Sequence, residues 1–146
     1  MNAAVQLDQS EVQLFRDNVR KFLENEVAPH YEQWEKDEIL PRELWTKMGE
    51  NGLLCVDVPE DYGGFGANFR LSAIVVEEAS RMGFSALASM LSVHSDIVAP
   101  YILHLGTEEQ KQTWLPKMVT GECVGAIGMT EPGAGSDLQS LKTKAV

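Results

Sequence analysis

Along most of the first 120 positions apolar residues recur every three or four places, the period of a helix with one buried face. Val12, Phe15, Val19, Phe22, Leu23 and Val27 form one such stripe, which predicts an amphipathic helix over residues 10–27. Ser10 and Gln13 fit a capping box at its start, and Pro29 closes it. His30 follows in a polar stretch and reads as a surface residue. A second helix is expected from about Pro41, a residue suited to the first helical position. Leu40, Leu44, Trp45 and Met48 make its buried side, and Asn51-Gly52 supplies a left-handed cap. Leu53 to Val56 is a short apolar run that reads as extended. Asn68 caps a third helix over about 69–82, with Leu71, Ile74, Val75, Ala79 and Met82 inward and Glu77, Glu78 and Arg81 on the solvated sides.

Residues 85–105 are the most apolar long segment, as expected of a central bundle helix. Pro100 must kink or divide it, because proline removes one hydrogen bond and crowds the carbonyl one turn back. His94 and Asp96 lie within this segment and need polar partners. Thr107 and Gln110 form another capping box, opening a helix to about Trp114 that Pro116 breaks or restarts. Near Gly121 the helical period ends. Cys123 to Met129, CVGAIGM, is short, apolar and uncharged, and reads as a buried strand.

That strand leads into a polar, glycine-rich loop. Thr130 offers a hydroxyl, and Gly133 and Gly135 can take positive φ and bring backbone close to a ligand. Successive N–H groups in such a turn form a concavity for oxygen anions or polarised carbonyls. Asp137 can bond the turn's own backbone. Turn chemistry alone favours an ordinary loop here. Neither G-x-x-x-x-G-K-[ST] nor G-x-G-x-x-G between strand and helix is present, so this is not a known phosphate loop.

The whole string is more specific. Gly128-Met-Thr-Glu-Pro-Gly-Ala-Gly-Ser-Asp-Leu-Gln-Ser140 resembles the flavin-loop signature of the acyl-CoA dehydrogenase family at Gly128, Met129, Thr130, Glu131, Ala134, Gly135, Ser136, Asp137 and Ser140. Pro59-Glu-Asp-Tyr-Gly-Gly-Phe-Gly66 resembles the P-E-x-Y-G-G-x-G connection between early helices of that family, and residues 106–122 resemble its approach to the loop. The resemblance implies a mainly α fold. It consists of an N-terminal helical bundle of the acyl-CoA dehydrogenase type over 1–120, then the first strand or strands of a truncated β-barrel-like domain over 121–146.

It also implies FAD as cofactor, contacted by Ile127, Gly128, Met129, Thr130, Glu131, Pro132, Gly133, Ala134, Gly135 and Ser136. Thr130 would bond the pyrimidine side of the flavin and Ser136 would lie beside the CoA portion of an acyl-CoA substrate. Met90, Leu91, Val93 and Val98 would line the acyl pocket, with Ser89, Ser92 and Ser95 leaving room for the chain. The family's reaction is α,β-dehydrogenation of the thioester, by proton abstraction at the α-carbon and hydride transfer from the β-carbon to flavin N5. The family's catalytic glutamate lies in a later helical bundle, and no residue here matches it. Electron-transfer flavoprotein as electron acceptor and homo-oligomerisation at full length are also implied.

Charge and cysteine content narrow the rest. The formal net charge of the 146 residues is −10, and no basic face is visible for nucleic acid. Lys142 and Lys144 read as a solvated strand face or as weak attraction for an anionic cofactor. No uninterrupted apolar run of 18 residues suggests a membrane span, and the first residues resemble neither a secretory signal nor a transit peptide. Cys55 and Cys123 lack metal or disulfide spacing, so no metal and a reducing cytoplasm are expected. An open sheet edge should make the chain by itself prone to association. Two alternatives stand beside this reading: an acyl-CoA oxidase or flavin monooxygenase of the same fold, and a non-catalytic acidic helical interaction module. The latter gives no reason for residues 128–137.

Overall fold

The computed structural model describes residues 8–144, and within them the regular structure is helical. Helix α1 (Gln9–Phe22) is capped by Asp8, not by Ser10. The Asp8 carboxylate accepts the N–H groups of Ser10 and Glu11 at 2.7 and 2.9 Å, and the Glu11 carboxylate accepts the Asp8 N–H at 2.8 Å. A carboxylate at this end also meets the positive pole of the helix, an advantage the Ser10 hydroxyl lacks. The chain continues past Phe22 through one wide π turn, Leu23–Val27, before Pro29 stops it. Helix α2 (Tyr31–Lys36) was not expected, since six residues are too few to display a period. Its Tyr31 hydroxyl accepts the Ala86 N–H at 3.1 Å.

Helix α3 (Arg42–Glu50) begins one residue later than expected, with Pro41 as its extended cap. Gly52 ends it at φ +66°, and the Leu53 N–H returns to the Met48 carbonyl at 2.9 Å. In the connection after it, a Cβ on Gly64 would lie 1.9 Å from the Val58 carbonyl oxygen, so the glycine serves close backbone packing. Helix α4 (Phe69–Arg81) is capped by Asn68 as expected.

Helices α5 (Ser85–Leu91) and α6 (Ala99–Leu105) are joined without a break by a π segment, Ser92–Val98. Pro100 therefore neither divides nor stops the helix. Within the wide segment the Ala99 N–H bonds His94, five residues back, which carries the preceding carbonyls out of the proline ring's path. By length and composition the continuous stretch Ser85–Leu105 is apolar enough to cross a membrane, a property that the central helix of a bundle shares. Its inner face is spent on the bundle: Leu87, Ala88, Leu91, His94, Ser95 and Ala99 are buried. Helix α7 (Glu108–Val119) carries the expected Thr107–Gln110 capping box but runs on through Pro116. Leu115 and Met118 are fully buried on either side of the proline. Their burial, worth about 1.5–3 kcal/mol each, offsets the roughly 3 kcal/mol that an interior proline costs.

Helices α1 to α5 share one core, in which α1 packs on α4 and α4 on α5. A smaller core gathers Cys55, Val58, Ala99, Leu115 and Met118, where α6 packs on α7. The expected strand over Cys123–Met129 is not formed: the segment is irregular, and the described residues contain only an isolated bridge between Glu131 and Ala134. A strand exists only when a neighbour takes its N–H and C=O groups, and among the described residues no such neighbour lies beside this one. The end of the next expected strand, Ala145 and Val146, lies outside the described residues.

One polar cluster locks α1 to α4. Glu78, assigned by the pattern to the solvated side, is 1% exposed. Its carboxylate takes Arg20 Nε at 2.6 Å and a further hydrogen bond from Arg16, which also pairs with Glu77 at 2.9 Å. Burial pushes the Glu78 pKa up, and the guanidinium hydrogen bonds overcome this and hold it below the usual 4.5. The arginines keep 21% and 39% of their side chains in water, so the two ends of the cluster are unequal. Replacing both arginines (R16M/R20M) strands a buried carboxylate and should cost about 3–5 kcal/mol. Glu78→Gln leaves cations that can turn to water and should cost clearly less. Urea unfolding of the two variants checks the order.

Candidate functional site

The glycine-rich loop stands on a firmly held root. After α7, Gly121 takes φ +73°, and a Cβ there would lie 2.2 Å from the Trp45 carbonyl oxygen. The Cys123 N–H bonds the Lys117 carbonyl at 2.9 Å, and Arg42 of α3 donates to the Glu122 carbonyl. The Gly125 N–H then donates to His94 Nδ1 at 2.9 Å. His94 is fully buried, and its Nε2 lies 3.1 Å from the Met118 carbonyl and 3.6 Å from Cys55 Sγ. Asp96, on the same helix, accepts the Ser72 hydroxyl. Both therefore have the partners that their position demands.

Cys55 and His94 have the composition of a nucleophile and base, yet their surroundings oppose it. Burial pushes the thiol up to about 12, and burial also pulls the imidazole below its ordinary 6.5. Both groups are held neutral, whereas a reactive pair needs a thiolate.

Beyond Gly125 the chain leaves the domain. Ile127, Gly128, Met129, Thr130, Pro132, Gly133, Gly135 and Ser136 are exposed, Glu131 is half-buried and only Ala134 is enclosed. Glu131 and Ala134 exchange both backbone bonds, at 2.9 and 3.1 Å, and so close the tip. The Glu131 carboxylate accepts the N–H groups of Thr143 and Lys142 at 2.9 and 3.0 Å, and these hydrogen bonds hold its pKa below 4.5. Glu131 thus ties the loop to the segment after it and is not free to act as a base. Asp137 accepts the Ser140 hydroxyl, the local closure expected of it.

The loop glycines depart from expectation. Gly133 and Gly135 are not among the glycines of positive φ. A Cβ on Gly128, Gly133 or Gly135 would meet nothing within 4 Å. Neither backbone conformation nor packing inside this chain calls for glycine at these three places. Among the described residues no acceptor is bonded to the N–H groups of Met129, Thr130, Gly133 or Gly135.

The expected acyl-pocket residues are dispersed. Met90 is exposed and lines a surface groove with Trp34, Ile39, Leu40 and Ala86. Leu91 is 1% exposed in the main core, turned a third of a turn from Met90 by helical rotation. Val93 is half-buried, and Val98 lies beneath Gly125. Arg42 was missed, since one arginine after a helix-starting proline carries no signal. For His94 the signal was present, as a histidine on an apolar helix.

A helical bundle with this loop leaving it defines the class. The family described as "Acyl-CoA dehydrogenase, N-terminal domain" matches residues 9–122, and the chain belongs to it. It is 48% identical over 136 residues to the long-chain specific acyl-CoA dehydrogenase, mitochondrial, of Sus scrofa, covering 93% of this chain and 31% of that protein. The crystal structure of acyl-CoA dehydrogenase from Geobacillus kaustophilus superimposes with a TM-score of 0.85 at 54% identity, over 95% of this chain and 36% of that one. A glutaryl-CoA dehydrogenase from Mycobacterium smegmatis, in complex with FADH2, gives a TM-score of 0.85 at 32% identity, over 94% of this chain and 35% of that one. The chain thus spans about a third of the length of these relatives.

The lowered pKa of His94 has a stability consequence. The unfolded chain takes up a proton near pH 6.5, the buried imidazole only at lower pH. The stabilisation is present above 6.5 and is lost as pH falls from there through the folded value. Urea midpoints compared at about pH 7.5 and pH 5.5 should fall on acidification, and the fall should shrink in His94→Asn.

Proposed function

We propose that the chain supplies the helical N-terminal domain and the flavin-facing loop of an FAD-dependent acyl-CoA dehydrogenase. The observation that carries this reading is the set of open glycines. At Gly128, Gly133 and Gly135 the space a side chain would fill is empty, and unbonded N–H groups lie beside it. A flat ring laid against such backbone meets donors and no side chain. The donor set suits a flavin pyrimidine, whose carbonyls and N1 accept hydrogen bonds. FAD supplies, when bound, a two-electron acceptor for the substrate's β-hydride.

The residues of this chain have narrower tasks. Thr130 offers its hydroxyl to the flavin, the 127–136 backbone fixes the ring's plane, and Ser136 stands where the CoA portion of the thioester passes. Met90, Leu91, Val93 and Val98 are the proposed contribution to the acyl wall. Glu131 shapes the loop through Lys142 and Thr143. The proton-abstracting base, the electron-transfer flavoprotein that takes the electrons and the homo-oligomer belong to the proposed whole enzyme. The chain alone should show no acyl-CoA turnover and at most weak FAD affinity.

A chimera tests this: residues 1–146 joined to the remaining two thirds of the Geobacillus kaustophilus enzyme, beside the chain alone. The chimera should purify with bound FAD and oxidise an acyl-CoA. Thr130→Val should weaken FAD by about threefold to tenfold, the worth of one hydrogen bond. Gly135→Val, whose Cβ would meet nothing of the chain within 4 Å, should weaken it further. FAD retention unchanged in both variants would exclude this role for the loop.

A further inference from the structure

We propose that His94 is the positioning residue for the flavin-facing loop, through an acceptor at Nδ1 that holds the Gly125 amide and a proton at Nε2 that holds the Met118 carbonyl. The loop's ligand rests on the function proposed above; the hydrogen bonding does not.

The tautomer follows from the partners. Nδ1 faces an N–H at 2.9 Å and must accept, while Nε2 faces a carbonyl at 3.1 Å and must donate. The imidazolium would set Nδ1–H against the Gly125 N–H; the other tautomer would do the same and also leave no proton between Nε2 and the Met118 carbonyl. The two contacts lie on different segments: Met118 is in the last turn of α7, and Gly125 begins the departing chain. One ring thus sets the relation between the helix and the loop.

The ring itself is held from several sides. The π segment Ser92–Val98 brings consecutive residues His94 and Ser95 inward together, and both are buried. The Ser95 hydroxyl accepts the Cys55 N–H at 3.1 Å, which fixes the strap carrying the Cys55 thiol beside Nε2. Trp45 meets the imidazole edge-on, with centroids 5.3 Å apart. Gly125 sits against Val98 and Met118, where an added Cβ would meet Val98 Cγ1 at 2.8 Å. Arg42 holds Glu122 on the other side of the turn. The segment is therefore pinned at Glu122 and at Gly125, and Thr130 lies five residues on. An error of direction at the root is carried outward to the residues that face the ligand.

Two substitutions separate the nitrogens. Asparagine places its carbonyl oxygen near the position of Nδ1 and keeps the bond to Gly125. Glutamine places its amide near Nε2 and keeps only the bond to Met118. Both remove ring volume. In the 146-residue chain, long-range proton–nitrogen correlation should find Nε2 protonated and Nδ1 bare. His94→Gln should speed amide exchange at Gly125 by about tenfold relative to His94→Asn, the worth of one buried hydrogen bond. In the chimera His94→Gln should weaken FAD more than His94→Asn does, with Thr130→Val as the reference. Equal exchange at Gly125 in the two variants, or a proton on Nδ1, overturns the proposal. If Thr130→Val weakens FAD and His94→Gln does not, positioning by His94 is wrong while the loop's function stands. If neither weakens it, the loop is no flavin site, and the positioning role falls with it even where the Gly125 exchange result is as expected.

Discussion

The Met118 carbonyl and the Gly125 amide end on the same imidazole, and the junction between helical bundle and loop depends on that. A ring buried without water must satisfy both nitrogens at once. With a donor facing one and an acceptor facing the other, only one protonation state fits. The histidine is thereby held neutral to lower pH than a free imidazole and serves as a strut. Its neighbour Cys55 is held neutral by the same loss of water, so a pair that looks reactive on paper is structural here.

The strut exists because an apolar helix accommodates Pro100 by widening. A regular α-turn ahead of Pro100 would press the proline ring on the carbonyl one turn back. The π segment relieves this, and His94 and Ser95 lie on its inner face, where they meet Cys55, Met118 and Gly125. Pro116 in α7 shows the complementary case. There the flanking Leu115 and Met118 are so deeply buried that the helix continues in spite of the proline. In both places packing decides what the ring's missing N–H would otherwise decide.

The loop differs from everything beneath it. Its tip is closed by Glu131 with Ala134 and tied back through Lys142 and Thr143, while its glycines face open space. In the bundle, Gly64 and Gly121 are pressed against carbonyls of their own chain, and the open glycines Gly63, Gly66 and Gly83 are called for by positive φ. Glycines forced by internal contacts and glycines left free serve different ends, and the second sort is what a surface for an external ring requires.

From residue order alone one could read the helices with clear stripes, the caps at Asn68 and Thr107, and the loop whose string resembles a flavin signature. Each of these rests on neighbours within a few positions, where spacing and side-chain chemistry act directly. Residue order could not show that Glu78 would be buried between two arginines, or that Leu91 would turn into the core. Nor could it show that CVGAIGM would lack a strand partner. Those outcomes depend on which distant groups arrive opposite: Arg16 and Arg20 across 58 or more positions for Glu78, and His94 across 31 for Gly125. Local order determined the elements and the loop's composition; the tertiary structure decided the partners, because burial makes a polar group's pairing obligatory only once the chain has closed around it.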